Sequence, residues 1–300
     1  MTDSLFQSTN HLLMIEPASF YANPQTMETN AYQVQDDAPR DVLFAKALKE
    51  WRGFRDKLLE KGVIITTHRG FENCPDMVFP NCMSTHGDGG LYLYPMYNEN
   101  RRAEHSSDLV AMLQKAYPHV HDWRHYAGDQ LHLESTASIC RDRVNKIGYS
   151  GLSARTSRVL AEKWLDEKGY SPVIFETCSH AGIPVYHTDC VMWIGTSLAA
   201  ICTPCIIEND RSRVVSSLRA THAVLELSME QLSAFCGNAL EVRGAEGKRY
   251  LAISSGGYAA LTPDQISLIR DHFDDIIHSD LSTLERYGGG SARCCLMELF

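Results

Sequence analysis

The sequence predicts an α/β protein, and three observations lead to this prediction. Helix-like and strand-like patterns alternate from one end of the chain to the other. The strands are short and come in small groups between helices, which disfavours a plain doubly wound sheet and is compatible with a repeated ββαβ unit. No low-complexity segment and no long Pro, Gly or Ser linker divides the chain, so residues 1–300 are expected to form a single domain.

Apolar spacing and bounding residues define the elements of the first half of the chain. Residues 41–59 form a predicted helix, because Phe44, Leu48 and Trp51 recur at helical spacing and Gly62 ends the run. Short apolar runs then predict strands at 63–67, 77–79 and 91–94, and a helix at 109–116.

The same criteria continue through the second half. Helices are predicted at 158–168, 211–219 and 263–273, the last with Pro263 in the first turn, where proline is favoured. Strands are predicted at 172–175, 192–194, 199–207, 224–227, 249–254 and 275–278.

Composition excludes several classes of protein. The chain has 44% hydrophobic and 22% charged residues, as globular domains do. Its formal charge of −9 argues against binding to nucleic acid or to anionic membranes. No apolar run approaches the roughly 18 residues of a membrane span, and Met1 to Asn10 lacks the features of a secretory signal. The ten scattered cysteines are typical of reduced thiols, so a cytoplasmic protein is expected.

The C-terminal segment from Gly288 to Phe300 carries the strongest chemical signal. A glycine run can bring the backbone where side chains would clash, and Cys294 follows this run at the start of an apolar strand. A cysteine in a cleft beside a histidine is a candidate nucleophile. On its own, the segment favours the simpler interpretation of a flexible tail before a hydrophobic strand. The rest of the chain reverses that preference.

Four further segments place polar and turn-forming residues beside predicted strands, at 14–33, 76–86, 133–156 and 185–195. Together with Gly-Gly-Gly-Ser-Ala-Arg-Cys at 288–294 and Tyr-His-Thr at 186–188, they resemble the amidinotransferase and guanidino-hydrolase superfamily, whose fold is the pentein. The resemblance runs from about residue 14 to 300 and is strongest to citrulline-utilisation hydrolases and arginine-deiminase-related proteins. It implies a fivefold pseudosymmetric α/β propeller of ββαβ units with the active site in the central channel. It implies neither a cofactor nor a metal.

The resemblance assigns three catalytic residues. Cys294 is the expected nucleophile, His187 the general acid and base, and Glu134 the carboxylate that binds the histidine or the substrate nitrogens. Alternation along an extended strand would turn Cys295 away from the site and into the core. Glu134 is expected on an alternating strand, followed by Ser135 where relatives often have glycine.

The expected substrate contacts give conflicting signals. Arg155 would hold an α-carboxylate through its planar fork, and the remaining candidates are Asn23, Asp76, Asn81, Cys82 and Asp189. Guanidino-hydrolases usually carry an aspartate at the position of Cys82, so Cys82 and Asn81 favour a neutral ureido group. Asp189 is a carboxylate found in arginine deiminases and favours a guanidinium. The sequence leaves this conflict open.

The predicted function is hydrolysis of the guanidino or ureido group of an arginine- or citrulline-like amino acid through a covalent intermediate on sulfur. The expected partner is that small substrate, and a homodimer is the assembly considered. An amidinotransferase, a non-catalytic pentein that binds a protein or the ribosome, and an enzyme that modifies arginine in proteins stay open. The Cys202-x-x-Cys205 motif and the histidines around Trp123 are interpreted as structural.

Overall fold

The computed structural model describes residues 6–300, so the expectations for Met1 to Leu5 lie outside the described residues. Within that range, fifteen strands form five three-stranded sheets. The strands are β1 His11–Glu16, β2 Ile64–Arg69, β3 Met83–Thr85, β4 Gly90–Leu93, β5 His119–Asp122, β6 Cys140–Asp142, β7 Ile147–Leu152, β8 Ser171–Glu176, β9 Met192–Ile194, β10 Leu198–Ile201, β11 Ala223–Glu226, β12 Leu240–Arg243, β13 Arg249–Ser254, β14 Asp275–Ser279 and β15 Met297–Glu298.

All five sheets have the same internal order. In each, the middle strand pairs antiparallel with one neighbour and parallel with the other, as β4 does with β3 and β5. Helices connect the middle strand to the parallel one. The unit is therefore ββαβ repeated five times, which confirms the predicted pentein propeller. The C-terminal strand β15 supplies the antiparallel strand of the first sheet, beside β1.

The antiparallel strands β3, β6, β9, β12 and β15 lie innermost and are buried. They contact one another around the axis, since β9 touches both β6 and β12, and β15 touches β3. The parallel strands form the partly exposed outer edges, as β2 and β5 do. This arrangement directs the segments that enter the inner strands toward one central channel.

Ten α-helices lie in the described residues, and most pack outside the sheets. Trp51, Phe54 and Leu58 of the longest helix are buried against the core, as its spacing predicted. No helix of the described range is long and apolar enough to cross a membrane. The helices are α1 Arg40–Glu60, α2 Glu99–Arg102, α3 Ser107–Gln114, α4 Ser135–Ser138, α5 Arg158–Glu167, α6 Thr188–Val191, α7 Glu208–Arg219, α8 Met229–Ser233, α9 Ser255–Ala260 and α10 Pro263–His272.

Two predicted strands are wrong. Residues 77–79 are buried but form turns, in which the Phe79 N–H donates to the Asp76 carbonyl. Burial there reflects packing of Met77, Val78 and Phe79 into hydrophobic clusters and not sheet pairing. The strand predicted at 199–207 ends at Ile201, because the chain enters a 3-10 turn at Thr203–Cys205 whose Pro204 has no N–H for a ladder.

Candidate active site

Five polar residues precede the five inner strands and converge on the channel. Asn81 precedes β3, Glu134 precedes α4 and β6, His187 precedes α6 and β9, Asn238 precedes β12, and Cys294 precedes β15. The pseudosymmetry thus brings together residues that are far apart in sequence.

The glycine run places Cys294 against the channel wall. A Cβ on Gly288 would lie 2.6 Å from the Phe79 ring. Gly289 has a left-handed φ of +64°, and a Cβ there would lie 2.8 Å from Asn30 Oδ1. The Asn30 amide in turn donates to the Gly288 and Gly289 carbonyls. Only a chain without side chains fits between Phe79 and Asn30 in this conformation.

Cys294 lies in a 3-10 turn, Arg293–Cys295, and not in the extended strand that the sequence predicted. Its side chain lines the cavity, whereas Cys295 is fully buried in the hydrophobic core. The two thiols therefore separate as expected, but the turn causes the separation and strand alternation does not.

Asn238 holds the backbone and the sulfur of Cys294 at the same time. Its Nδ2 lies 3.2 Å from Cys294 Sγ, and its Oδ1 accepts from the Cys294 N–H at 3.3 Å. Nδ2 also donates to the Asp189 carbonyl at 3.0 Å. One buried amide therefore fixes the position of the thiol relative to α6.

Donors around its sulfur lower the pKa of Cys294 to about 6. The largest contribution comes from the neighbouring Cys190 thiol, and the Asn238 amide and the Arg293 charge add to it. Burial acts in the opposite direction, because it disfavours the thiolate. The sulfur is consequently anionic at neutral pH.

His187 and Glu134 form a buried pair. His187 Nε2 lies 2.7 Å from Glu134 Oε2, and the Tyr97 N–H donates to Oε1 at 3.0 Å. His187 Nδ1 makes no hydrogen bond to any residue of the range 6–300, although it is buried. With Nε2 committed to the carboxylate, Nδ1 is the nitrogen available to a substrate in the cavity.

The pKa values of both members of the pair are lowered, but for different reasons. Burial lowers the pKa of His187, so the imidazole is neutral in the empty site at neutral pH. Burial acts against the carboxylate of Glu134, but the hydrogen bond from His187 and the charges of Arg155 and Arg101 overcome it and hold its pKa well below the usual range. An anionic Glu134 would stabilise an imidazolium if His187 gained a proton.

The backbone around Glu134 differs from the strand that was predicted. Leu133 makes only an isolated bridge with Thr156, and Glu134 caps the short helix α4. Ser135 adopts a left-handed φ of +54° and donates through Oγ to the Met83 carbonyl at 2.8 Å. The position at which relatives often have glycine is therefore one where the backbone favours glycine.

A second carboxylate faces the cavity on the wall opposite α6. Asp76 Oδ2 accepts from Asn23 Nδ2 at 2.7 Å, while Oδ1 has no partner within the described part of the chain. Burial raises the pKa of Asp76. Asn23 does not line the cavity itself but orients Asp76.

Arg155 lies between the inner cavity and an outer groove and lines both. Its guanidinium donates to the Thr26 carbonyl and to Thr29 Oγ1, and its Nη1 lies 3.8 Å from Glu134 Oε2. The arginine therefore ties the segment around Thr26 to the carboxylate as well as facing the cavity.

Five of the nine predicted residues line the cavity, namely Asp76, Asn81, Arg155, His187 and Cys294, whereas Asn23, Cys82, Glu134 and Asp189 do not. The Cys82 side chain packs among apolar residues such as Leu13 and Met83, outside the cavity, and burial raises the pKa of its thiol. Asp189 lies beside Cys294, with Oδ2 3.7 Å from Cys294 Sγ. The lining residues are Thr26, Asn30, Asp76, Phe79, Asn81, Arg101, Arg155, Tyr186, His187, Gly288, Gly290 and Cys294.

Sequence reasoning missed Asn238 and Arg101. Arg101 is buried and binds Glu104 through two hydrogen bonds of 2.8 and 2.9 Å, and the Phe79 carbonyl at 2.7 Å. No local motif marks either residue. The sequence offers one indication for Asn238. It is the polar residue just before an inner strand, which is the position that Cys294 has in another repeat.

Comparison with known proteins identifies the family of the chain and related folds. The family model for N,N dimethylarginine dimethylhydrolase, eukaryotic, matches residues 16–300. Among solved structures, the N-terminal domain of ArgZ, a cyanobacterial arginine dihydrolase, in a cysteine-to-serine mutant bound to substrate, has 14% identity and a TM-score of 0.77, covering 96% of this chain and 97% of that one.

Two further structures show the same fold. A complex of an AgrE mutant with L-arginine has 12% identity and a TM-score of 0.78, covering 97% of this chain and 40% of that one. DDAH from Pseudomonas aeruginosa with citrulline has 17% identity and a TM-score of 0.66, covering 96% and 98%. At these identities the similarity establishes the fold alone. No curated protein matches the chain.

Proposed function

Because this chain belongs to the family of N,N-dimethylarginine dimethylhydrolases, we propose that it hydrolyses the guanidinium group of an arginine-like amino acid, with Cys294 as the nucleophile. Residues 1–300 act in this proposal as a single catalytic domain. The observation that carries it is the low-pKa thiol of Cys294 in one cavity with the His187–Glu134 pair.

The charge around the cavity supports a cationic substrate. Three carboxyl groups, those of Asp76, Glu104 and Glu134, lie around Arg101, and Asp189 lies beside Cys294 and Arg293. Burial raises the pKa of Asp76 and Asp189, and nearby Cys294 raises that of Asp189 further. A guanidinium bound between them would favour their ionised forms, which a neutral ureido group would not do.

The proposed first half-reaction begins when the Cys294 thiolate attacks the central guanidinium carbon. This gives a neutral tetrahedral adduct on sulfur. His187 Nδ1 then takes a proton from one adduct nitrogen and delivers it to the departing amine, while Glu134 stabilises the transient imidazolium. The amine leaves as a neutral molecule, and a neutral covalent isothiourea intermediate stays on Cys294.

In the second half-reaction, His187 Nδ1 accepts a proton from water, and the hydroxide attacks the same carbon. Collapse of this adduct breaks the carbon–sulfur bond and leaves a ureido product. The thiolate of Cys294 is regenerated, and the proton that His187 took from water passes to the released amine, so a cation enters and a cation leaves. Arg155, at the junction with the outer groove, would bind the α-carboxylate.

A product assay tests the proposal. Purified protein is given arginine, an N-methylated arginine, N,N-dimethylarginine, citrulline and agmatine separately, with and without an added amine acceptor. We expect citrulline and the corresponding amine from one of the arginines, with agmatine a poorer substrate because it lacks the carboxylate that Arg155 would bind. An amidino group transferred to the acceptor would contradict hydrolysis, and no product from any substrate would contradict catalysis.

A second candidate is hydrolysis of a ureido group, which the neutral amide of Asn81 in the cavity lining favours. Ornithine and ammonia from citrulline would support it. The position of Cys82 outside the cavity removes the other residue that pointed to a ureido substrate.

A further inference from the structure

A second thiol, that of Cys190, lies beside the proposed nucleophile and forms no bond in the proposed reaction. The sulfurs of Cys190 and Cys294 and a carboxylate oxygen of Asp189 all lie within 4.8 Å of one another. Cys190 belongs to the short helix α6, which begins just after His187, so the same segment presents the acid–base residue and this thiol.

The surroundings hold the two sulfurs together. Asn238 Nδ2 lies 3.2 Å from Cys294 Sγ and 3.9 Å from Cys190 Sγ, so one amide contacts both. Asp189 contacts both sulfurs at 3.7 Å through its two oxygens. The two sulfurs lie within 4.8 Å of one another. A disulfide has a sulfur–sulfur distance of about 2.05 Å, so side-chain rotation has to bring them together.

We propose that Cys190 is a resolving cysteine, and that peroxide oxidation joins it to Cys294 in a disulfide that reversibly blocks the site. In the first step the Cys294 sulfur attacks a peroxide oxygen; the O–O bond breaks, sulfur loses two electrons and becomes a sulfenic acid, and water leaves. In the second step the Cys190 sulfur attacks the sulfenic sulfur. The S–S bond forms, and the hydroxyl departs as water with the Cys190 proton.

The protonation states suit these steps. The lowered pKa of Cys294 supplies the thiolate that reacts with peroxide. Burial raises the pKa of Cys190, so this thiol attacks only as its proton is transferred to the departing hydroxyl, which makes the second step the slower one. A disulfide would protect Cys294 from irreversible oxidation to the sulfinic acid. The loss of activity rests on the proposed function, whereas disulfide formation does not.

Peptide mapping tests the bond directly. The full-length protein is treated with hydrogen peroxide, alkylated, and digested with trypsin and chymotrypsin, which place Cys190 in the peptide 187–193 and Cys294 in a peptide that begins after Arg293. We expect these peptides to be linked, with a loss of two hydrogen atoms (about 2 Da), and fragmentation to place the bond on Cys294. Oxidation of Cys294 to the sulfinic acid without this link would overturn the proposal.

Recovery of activity provides the second readout, each variant being normalised to its own untreated rate. Wild-type protein should regain most activity in dithiothreitol, whereas Cys190→Ala should regain little. Cys205→Ala is the matched control, because Cys205 and Cys202 form another close pair of thiols, and it should recover like the wild type. Equal recovery in Cys190→Ala would also overturn the proposal. If the untreated protein turns over no substrate, the proposed function fails and the mapping still decides this inference.

Discussion

At the scale of single residues, the properties of Cys294 come from neighbours that the sequence motif does not contain. The Gly-Gly-Gly-Ser-Ala-Arg-Cys motif identified the cysteine, but the donors to its sulfur come from Cys190 and Asn238, some 104 and 56 residues away. Tertiary structure alone brings these groups together. The motif therefore selects Cys294 as the proposed nucleophile but could not predict the groups that lower its pKa.

The pH dependence of thiol reactivity follows from this environment. Since the pKa of Cys294 is lowered to about 6, the thiolate is present above that pH and is lost as the pH falls below it. The rate of Cys294 alkylation by iodoacetamide, followed by mass spectrometry of its peptide, should therefore rise with a midpoint near pH 6. The acid limb of kcat/KM should fall in the same region, and a midpoint near the ordinary thiol value of about 8.5 would contradict this account.

Removal of the Asn238 amide should raise the pKa of Cys294 and so destabilise its thiolate form. Asn238→Leu takes away a hydrogen bond to a charged sulfur, which is worth about 1.5–3 kcal/mol, so the alkylation midpoint should move up by about 1 to 2 pH units. The exposed Asn209→Leu on α7 is the control and should leave the midpoint unchanged. An unchanged midpoint in Asn238→Leu would show that the amide only positions the backbone.

At the scale of elements, the sequence predicted helices and strands correctly where the spacing of apolar residues matches the face that the element buries. The helix at α1 and the strand at β13 were predicted within one residue of their bounds, because their apolar spacing matches the faces they bury. The patterns failed at residues 77–79, where buried apolar residues form turns and not a strand. The same turns bring Asp76 and Asn81 into the cavity and leave Cys82 in the core, which no linear spacing could show.

The glycine turn should be intolerant of any side chain. Gly289→Ala combines a left-handed φ with a clash against Asn30, so it should lower the free energy of unfolding by about 2–4 kcal/mol and reduce kcat. Gly182→Ala is the matched control, since it has a φ of +75° with nothing within 4 Å, and it should cost only about 1 kcal/mol. Urea denaturation measures both, and equal losses would contradict the steric argument.

At the scale of the whole molecule, the C-terminal strand closes the propeller and carries a counter-ion into its centre. Glu298 Oε2 on β15 lies 3.4–3.7 Å from the side chains of Arg141, Arg143 and Arg293. These charges lower the pKa of Glu298 although burial opposes them. The resemblance predicted the fivefold fold, but not this buried network, because scattered charges in the sequence do not reveal that they meet at an axis.

Neutralising this carboxylate should destabilise the fold. Glu298→Gln withdraws a buried negative charge from three arginines, so the free energy of unfolding should fall by about 3 kcal/mol. Glu226→Gln, which removes the exposed partner of Arg219, is the control and should cost less than about 1 kcal/mol. Chemical denaturation distinguishes them, and similar small losses in both would mean that the central network adds little stability.

The most direct test of the central claim compares product formation by the wild type and Cys294→Ala with N,N-dimethylarginine, after circular dichroism has shown that both are folded. The account predicts citrulline and dimethylamine from the wild type and none above background from the variant, because no covalent intermediate can form without the sulfur. Product at a comparable rate from Cys294→Ala would contradict the assignment of Cys294 as the nucleophile.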